Sequence, residues 1–402
     1  MEPKIRLKGF EGEWVKAPFS EIANRASASA SSLNYPGVEF EDINSGEGTL
    51  NKDVSRKKIV KIGKLFSEGD VLFGKLRPYL KNILLADFKG VAIGDFWVLR
   101  PQKVTSELLY ILLNSREFMR IANISSGSKM PRADWNLVSS TPFAYPETKE
   151  EQDAIGAYFQ YLESMIQSTT KKIESLKQVK AASLQTMFPQ EGETSPRVRF
   201  KGFEGEWNVV TLGEVGTFKS NGVDKLVRPD EKMINLLNYL DVYNSRQINK
   251  ENCNSLMQVS ASDRQIIECD VQKNDIFFTP SSETAEDIGY VLVMKDTLPN
   301  TCYSYHLMRY RPNEGVFFED FPNYGFTTKY VREQMRLLAK GVQRFVIGKT
   351  EFESIKVQIP SYQEQKKIAD YFRSLDSQII GQTQRLEKLK QIKSACLDNM
   401  FV

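Results

Sequence analysis

The sequence predicts an α+β protein: two similar mixed α/β domains joined by two long antiparallel helices that form a coiled coil with pseudo-twofold symmetry. Three observations predict it. Residues 3–14 read PKIRLKGFEGEW and residues 196–207 read PRVRFKGFEGEW, identical at nine of twelve positions. A second matched stretch closes each half at a constant offset of 213 residues. Both of these closing stretches carry an apolar seam at helical spacing.

Taken in order along the chain, the repeated opening is followed by a divergent domain over 1–147. There each apolar run follows an acidic turn, as in Gly69-Asp70-Val71-Leu72-Phe73, and a basic loop comes next, Gly74-Lys75-Leu76-Arg77-Pro78. An amphipathic helix is expected near 106–122, then a small-residue turn, Ser125 to Lys129. The first long helix is placed at 148–188. Phe159, Leu162, Ile166, Ile173 and Leu176 keep the alternating three and four spacing of a coiled-coil seam. Proline is absent from Glu147 to Phe188, and Pro146 sits just before the helix, where it is tolerated. Residues 189–195 form a short linker, too short to let the first helix end far from the second repeat.

The second domain, 196–360, repeats the plan with different residues. Asn274-Asp275-Ile276-Phe277-Phe278 answers the first acidic turn, Thr279-Pro280-Ser281-Ser282-Glu283 the basic loop, and a helix is expected near 327–340. The second long helix, 361–402, has its seam at Phe372, Leu375, Ile379, Leu386 and Leu389, behind Pro360. Glu151-Gln152 returns as Glu364-Gln365, and Met187-Phe188 as Met400-Phe401. Thr169 and Gln382 interrupt both seams at the same place, as a register-setting feature, a partner contact or a tolerated change. An antiparallel pairing would bring the end of each helix to the other half's GFEGEW segment, with Trp14 and Trp207 as anchors in a structural role.

Composition excludes several classes. Of 402 residues 41% are hydrophobic and 26% charged, ordinary for a folded globular chain. No apolar run reaches membrane-spanning length and the opening lacks a signal-peptide core, so a cytoplasmic location is the expectation. Cys253, Cys269, Cys302 and Cys396 are too scattered for a metal knuckle or a disulfide framework. The net charge of +3 says little by itself, but residues 51–64 and 331–349 are locally basic, a composition that suits phosphate neutralisation.

Catalytic patterns fail one by one. The single histidine, His306, cannot serve a triad in each half. Gly348-Lys349-Thr350 lacks the glycine a phosphate loop needs at 343, where Gln343 stands. Ser45-Gly46-Glu47-Gly48 is a turn, and Pro229-Asp230-Glu231-Lys232 has no strand context of a nuclease site. The Asn/Asp-Pro-Pro-aromatic tetrapeptide of adenine methyltransferases does not occur.

The duplicated GFEGEW opening, the Gly69–Pro78 stretch, the Phe278–Thr284 stretch and the Ile359-Pro360…Glu364-Gln365 helix start together make the chain resemble the specificity subunit of type I restriction–modification enzymes over nearly its whole length. The resemblance implies two target recognition domains, each reading one half of a split, asymmetric site in double-stranded DNA. The helices would be a ruler and the dock for two modification subunits, which bring S-adenosylmethionine and methylate adenine. Restriction subunits would join for cleavage with ATP and Mg, so no cofactor is expected on this chain and it is not expected to be an enzyme. The DNA contacts expected are Arg56, Lys57, Lys58, Lys75, Arg77, Ser128, Lys129 and Arg132 in the first domain. In the second they are Ser281, Ser282, Tyr290, Gln343, Arg344 and Lys349. Lysines would mostly hold the backbone, whereas Arg77, Arg132, Gln343 and Arg344 are placed to read bases. The first half departs from the pattern, with Tyr145-Pro146 for Ile359-Pro360 and Met130-Pro131-Arg132 for Arg344-Phe345-Val346. The seam from Ile155 to Met187 would measure about 50 Å at ~1.5 Å per residue, which spans on the order of a dozen base pairs. The competing reading is a coiled-coil scaffold that presents two domains to proteins; a steep loss of DNA binding with salt separates the two.

Overall fold

The computed structural model describes residues 3–57, 60–124 and 130–401. The chain divides into two compact units, Met1–Lys171 with Thr383–Val402, and Lys172–Gln382. The division runs through both long helices rather than ahead of them, because seam residues from both helices complete the core of each unit.

In the first unit, a four-stranded antiparallel sheet runs in the order Ala23–Arg25, Phe96–Pro101, Val71–Gly74, Ile83–Leu85. Val71, Leu72 and Phe73 are buried on both faces, as their uninterrupted apolar run demands. A second sheet, ordered Ser29–Ser31, Ile62–Phe66, Gly90–Ala92, Gly37–Val38, ends on a parallel pair. The helix expected over 106–122 is two helices, Ser106–Asn114 and Arg116–Ala122. Ser115 breaks it: its backbone is extended and its hydroxyl accepts from the Phe118 N–H at 3.2 Å, so it caps the second helix. The core gathers Trp14, Phe19, Phe73, Trp97 and Phe118 with Ile155 and Phe159 of the first long helix, Met400 at the end of the second and Phe401 just after it.

The second unit repeats this plan. Gly216–Lys219, Met308–Pro312, Ile276–Phe278 and Val291–Val293 form the antiparallel sheet in the same order. A three-stranded sheet of Met257–Ala261, Lys232–Leu237 and Thr301–Tyr303 again closes on a parallel pair. In each unit a short antiparallel pair ties the repeated opening to the start of a long helix: Val15–Pro18 with Pro142–Tyr145, and Asn208–Thr211 with Lys356–Ile359.

The long helices are Lys149–Thr186 and Tyr362–Met400, within one or two residues of the expected bounds at the ends where assignment is least certain. In the first unit Lys393 Nζ meets Glu163 Oε1 at 2.9 Å and Tyr158 Oη lies 3.8 Å from Cys396 Sγ. In the second, Lys180 Nζ meets Asp376 Oδ1 at 2.6 Å and Ser183 Oγ lies 2.9 Å from Tyr371 Oη. Within each unit the helices therefore run antiparallel, and shifting either pair by 213 residues gives its counterpart. Phe159, Leu162, Ile173, Leu176, Phe372, Leu375 and Leu389 are buried, while Ile166, Ile379 and Leu386 are half-buried. Thr169 needs no outside partner, since its hydroxyl donates to the Met165 carbonyl one turn back at 2.7 Å. No helix of the described residues is long and apolar enough to cross a membrane.

Candidate nucleic-acid interface

The repeated motifs turn out to build a frame. Arg6 clamps Glu151 through Nε at 2.8 Å and Nη2 at 2.7 Å, and also donates to the Gly12 carbonyl. Arg199 does the same to Glu364 at 2.6 and 2.7 Å and to the Gly205 carbonyl at 2.6 Å. Gly12 and Gly205 both hold positive φ, at 88° and 81°, which is why the opening needs glycine there. Gln152 accepts from the Thr105 N–H and donates to the Lys103 and Pro146 carbonyls; Gln365 accepts from the Phe318 N–H and donates to the Val316 and Pro360 carbonyls. Trp14 packs edge-on against Phe401 at 5.5 Å and Trp207 against Phe188 at 5.8 Å. Each tryptophan thus meets the end of the other half's helix, the structural role expected of it.

The acidic turns are also structural. Asp70 takes a two-pronged bond from Arg100 (2.9 and 3.0 Å) and caps the Ser67 N–H. Asp275 takes the same from Arg311 (2.6 and 2.7 Å) and caps the Gln272 N–H. Their work is to fix the strand after which each exposed loop begins.

The basic segment of the first half is largely neutralised. Lys57, only 12% exposed, donates to Asp42 at 2.6 Å and Glu39 at 2.8 Å. Lys52 reaches Asp42 at 2.8 Å and Lys61 reaches Glu39 at 2.7 Å. Hydrogen bonds from Lys57 and Lys61 hold the Glu39 carboxyl below its ordinary range. Burial pushes Asp42 upward, but the bonds from Lys52 and Lys57 outweigh it and its net shift is also downward. A lysine locked onto two carboxylates has little left to offer a phosphate, so Lys57 reads as structural. Arg56 closes the turn Val54–Arg56, and Lys58, Ser128 and Lys129 lie outside the described residues.

Three expected residues do come together in the first unit. Asp95 is shared by Lys75 at 3.4 Å and Arg132 at 2.7 Å. Arg77 donates its backbone N–H to Pro131 (2.8 Å), and Ala133 donates to the Lys75 carbonyl (2.9 Å). Arg77 holds the left-handed region at φ 50°, a conformation that costs a non-glycine residue energy and aims an exposed side chain off the sheet. Two cations share one carboxylate here, and Arg77 has no ion-pair partner among the described residues.

In the second unit, Ser281–Ser282 pairs with Phe345–Val346, Ser281 opposite Val346. The corresponding feature of the first unit is the bridge between Leu76 and Arg132. Arg132 thus stands at the place of Val346, and Met130 at that of Arg344. Arg344 Nη2 donates to Ser281 Oγ at 3.0 Å, and Tyr239 Oη donates to the Ser281 carbonyl at 3.0 Å. Tyr290 lies 4.6 Å from Tyr243, under the Arg332 guanidinium at 5.5 Å, and donates to Asp287 at 3.2 Å. Gln343 is exposed beside Arg344, and Lys349 sits 3.6 Å from Glu353. The other cations of this segment are taken: Arg332 by the Glu286 and Ile288 carbonyls, Arg336 by Glu333, Lys340 by Glu351. Ser281 and Ser282 are buried and act as the platform. Sequence reasoning missed Tyr239 and Tyr243, whose one-turn spacing on the helix Tyr239–Tyr243 stacks the rings 5.9 Å apart; that spacing was the available signal.

Residues 204–391 match the family model for the type I restriction modification DNA specificity domain. The likeness to specificity subunits drawn from the residues is borne out there. The chain is similar to the type I restriction enzyme EcoDI specificity subunit of Escherichia coli, 23% identical over 183 residues, covering 43% of this chain and 41% of that protein. The type I restriction enzyme HindI specificity subunit of Haemophilus influenzae is 28% identical over 191 residues, 44% of this chain and 41% of that protein. The chain therefore spans about two fifths of the length of the curated relatives it matches. The fold is that of the type-I restriction-modification system S subunit from M. genitalium, with a TM-score of 0.61 and 15% identity over 100% of this chain and 99% of that one.

Proposed function

We propose that this chain is the sequence-reading subunit of a type I restriction–modification complex, each unit reading one half of a bipartite, asymmetric DNA site. One observation carries the reading: the same Arg–Glu–Gln–Trp frame is built twice and presents unlike surface groups, some exposed and some half-buried. Lys75, Arg77 and Arg132 stand in one unit, and Gln343, Arg344, Tyr243 and Tyr290 in the other. A common frame with different heads is what a split site with two different half-sequences requires. Arginine and glutamine suit base edges, and aromatic faces suit contact with the sugar–base surface.

The long helices would act as an antiparallel coiled coil, with a pseudo-twofold relation between domains 1–147 and 196–360, setting the unread spacer and docking two modification subunits. The matched antiparallel ion pairs Glu163–Lys393 and Lys180–Asp376 support that arrangement. S-adenosylmethionine, and ATP with Mg for cleavage, would reside on those partner subunits, leaving this chain non-catalytic. Methylome sequencing of a host that expresses the chain with its modification subunit tests the proposal. The expected result is a methylated motif of two specified half-sites around a fixed unspecified spacer. Exchanging residues 74–80 and 130–133 for those of another such chain should change one half-site alone; an unchanged motif would sink the reading.

A further inference from the structure

Resting on that DNA-reading role, we propose that Lys225, His306 and Arg344 form a cradle for a DNA backbone phosphate in the second unit. His306 takes a proton from solvent as the phosphate enters. The three residues are far apart in sequence, and the backbone brings them together. Gly222 lies so close to Ser304 and Tyr305 that a Cβ there would collide with their backbone atoms. Next to it, Val223 donates to the Tyr303 carbonyl at 2.8 Å and its own carbonyl accepts from Tyr305 at 3.1 Å. This seats Lys225, two residues on, beside the turn that holds His306.

The turn is tied in turn to the Arg344 side. Ser304 donates to the Leu237 carbonyl at 2.9 Å; two residues later Tyr239 bonds the Ser281 carbonyl, and the Ser281 hydroxyl accepts from Arg344 at 3.0 Å. Gly341, at φ 150°, lets the hairpin close, because a side chain there would strike the Arg344 carbonyl. The imidazole of His306 lies 3.9 Å from the half-exposed Tyr305 ring, and its backbone N–H rests on Ser304 Oγ at 3.3 Å.

Charge then makes the argument. Burial comes first in disfavouring the imidazolium, and both charged groups that act on His306, Lys225 and Arg344, are positive and push the same way. The carboxylates of the adjoining segments are engaged elsewhere, Asp224 with Arg228 at 3.2 Å and Asp287 with Tyr290 at 3.2 Å. Among the described residues neither Lys225 nor Arg344 has an ion-pair partner, and both act against a charged His306, so the charge missing from this corner is one that an anion supplies. A phosphate accepts a charge-assisted bond from each donor and turns their mutual repulsion into attraction. Its negative charge also favours the imidazolium, so DNA binding and proton uptake become linked.

The chain offers a clean test, because His306 is its only histidine. The full chain would be labelled with 13C-histidine and its single imidazole resonance followed against pH, alone and with a random-sequence DNA duplex. A duplex suffices because a phosphate contact is independent of sequence. The titration midpoint is expected to rise by about one unit on binding DNA, which makes affinity up to about tenfold tighter below the midpoint than above it. His306→Gln should bind DNA with no pH dependence between about 5.5 and 7.5, and Lys225→Ala should lower the slope of log affinity against log salt by about 0.9. DNA binding with an unmoved histidine midpoint overturns the cradle and leaves the DNA-reading role intact. Absence of DNA binding at every pH brings down both. The resonance belongs to the unmodified chain, so a poorly folded variant cannot mask the answer.

Discussion

Replacing Phe401 with alanine tests how the first unit is closed. Phe401 is 3% exposed and its one close ring partner among the described residues is Trp14, 5.5 Å away and edge-on. Truncating a buried phenylalanine costs about 3–5 kcal/mol, a large share of the roughly 5–15 kcal/mol that holds a domain together. For a unit of this size each kcal/mol moves the melting temperature by about 2–4 °C, so a fall of about 6–20 °C is expected. Phe188, its counterpart in the second unit, meets three rings: Trp207 at 5.8 Å, Phe321 at 5.8 Å and Phe372 at 6.0 Å. Each such pair adds about 0.5–1.5 kcal/mol beyond burial. Phe188→Ala should therefore cost about 1–3 kcal/mol more than Phe401→Ala, two further ring pairs being lost. Hydrogen exchange with peptide-level readout on the full chain separates the two. Phe401→Ala should expose amides at residues 14–25 and 96–122 while 208–293 keep their protection, and Phe188→Ala the reverse. Loss of protection in the wrong unit, or both variants within about 0.5 kcal/mol of the parent, would refute the packing on which the frame rests.

Three further outcomes follow from the same geometry. Lys57→Met should leave the salt dependence of DNA binding unchanged and lower stability by about 1–3 kcal/mol, since Asp42 keeps only Lys52 and the Glu39 N–H among its described partners; a salt slope reduced by about one would make Lys57 a phosphate contact after all. Arg344→Ala is predicted to weaken binding to every sequence through the lost phosphate contact and to cost a further ~1–3 kcal/mol, the size of one base contact, at one base position of one half-site, visible as a relaxed methylation motif; an even loss alone would limit Arg344 to the backbone. Deleting a matched heptad from both long helices should shorten the unread spacer and leave both half-sites alone; altered half-sites at constant spacing would remove the ruler.

Much of the fold was legible because its signals are periodic or repeated. The seam at Phe159, Leu162, Ile173 and Leu176 and its echo at Phe372, Leu375 and Leu389 follow a spacing that only a helix turns into one face, and all seven are buried. Asp70 and Asp275 announced their strands because a carboxylate that caps a tight turn precedes each apolar run. The break at Ser115 was harder to see. Its neighbours continue the apolar pattern, and serine is tolerated inside helices until its hydroxyl is used as a cap.

The interface was less legible, for an electrostatic reason. Counting charges in a window of sequence treats every lysine as free, yet Lys52, Lys57 and Lys61 find Glu39 and Asp42 outside that window. The same happens at Lys340 with Glu351. A phosphate or a base edge is drawn to the cation whose counter-ion is missing, and that property belongs to the fold, not to the window. By this measure Arg77 gains weight as a contact and Lys57 loses it. His306, set aside in the sequence as a lone residue unfit for catalysis, gains the most, because only in three dimensions does it feel two cations, Lys225 and Arg344, that have no ion-pair partner among the described residues. An even basic surface would attract DNA anywhere along its length. A few cations left uncompensated on a neutralised frame would let the proposed reading subunit spend its attraction at chosen phosphates and bases, which is the distribution that reading a sequence demands.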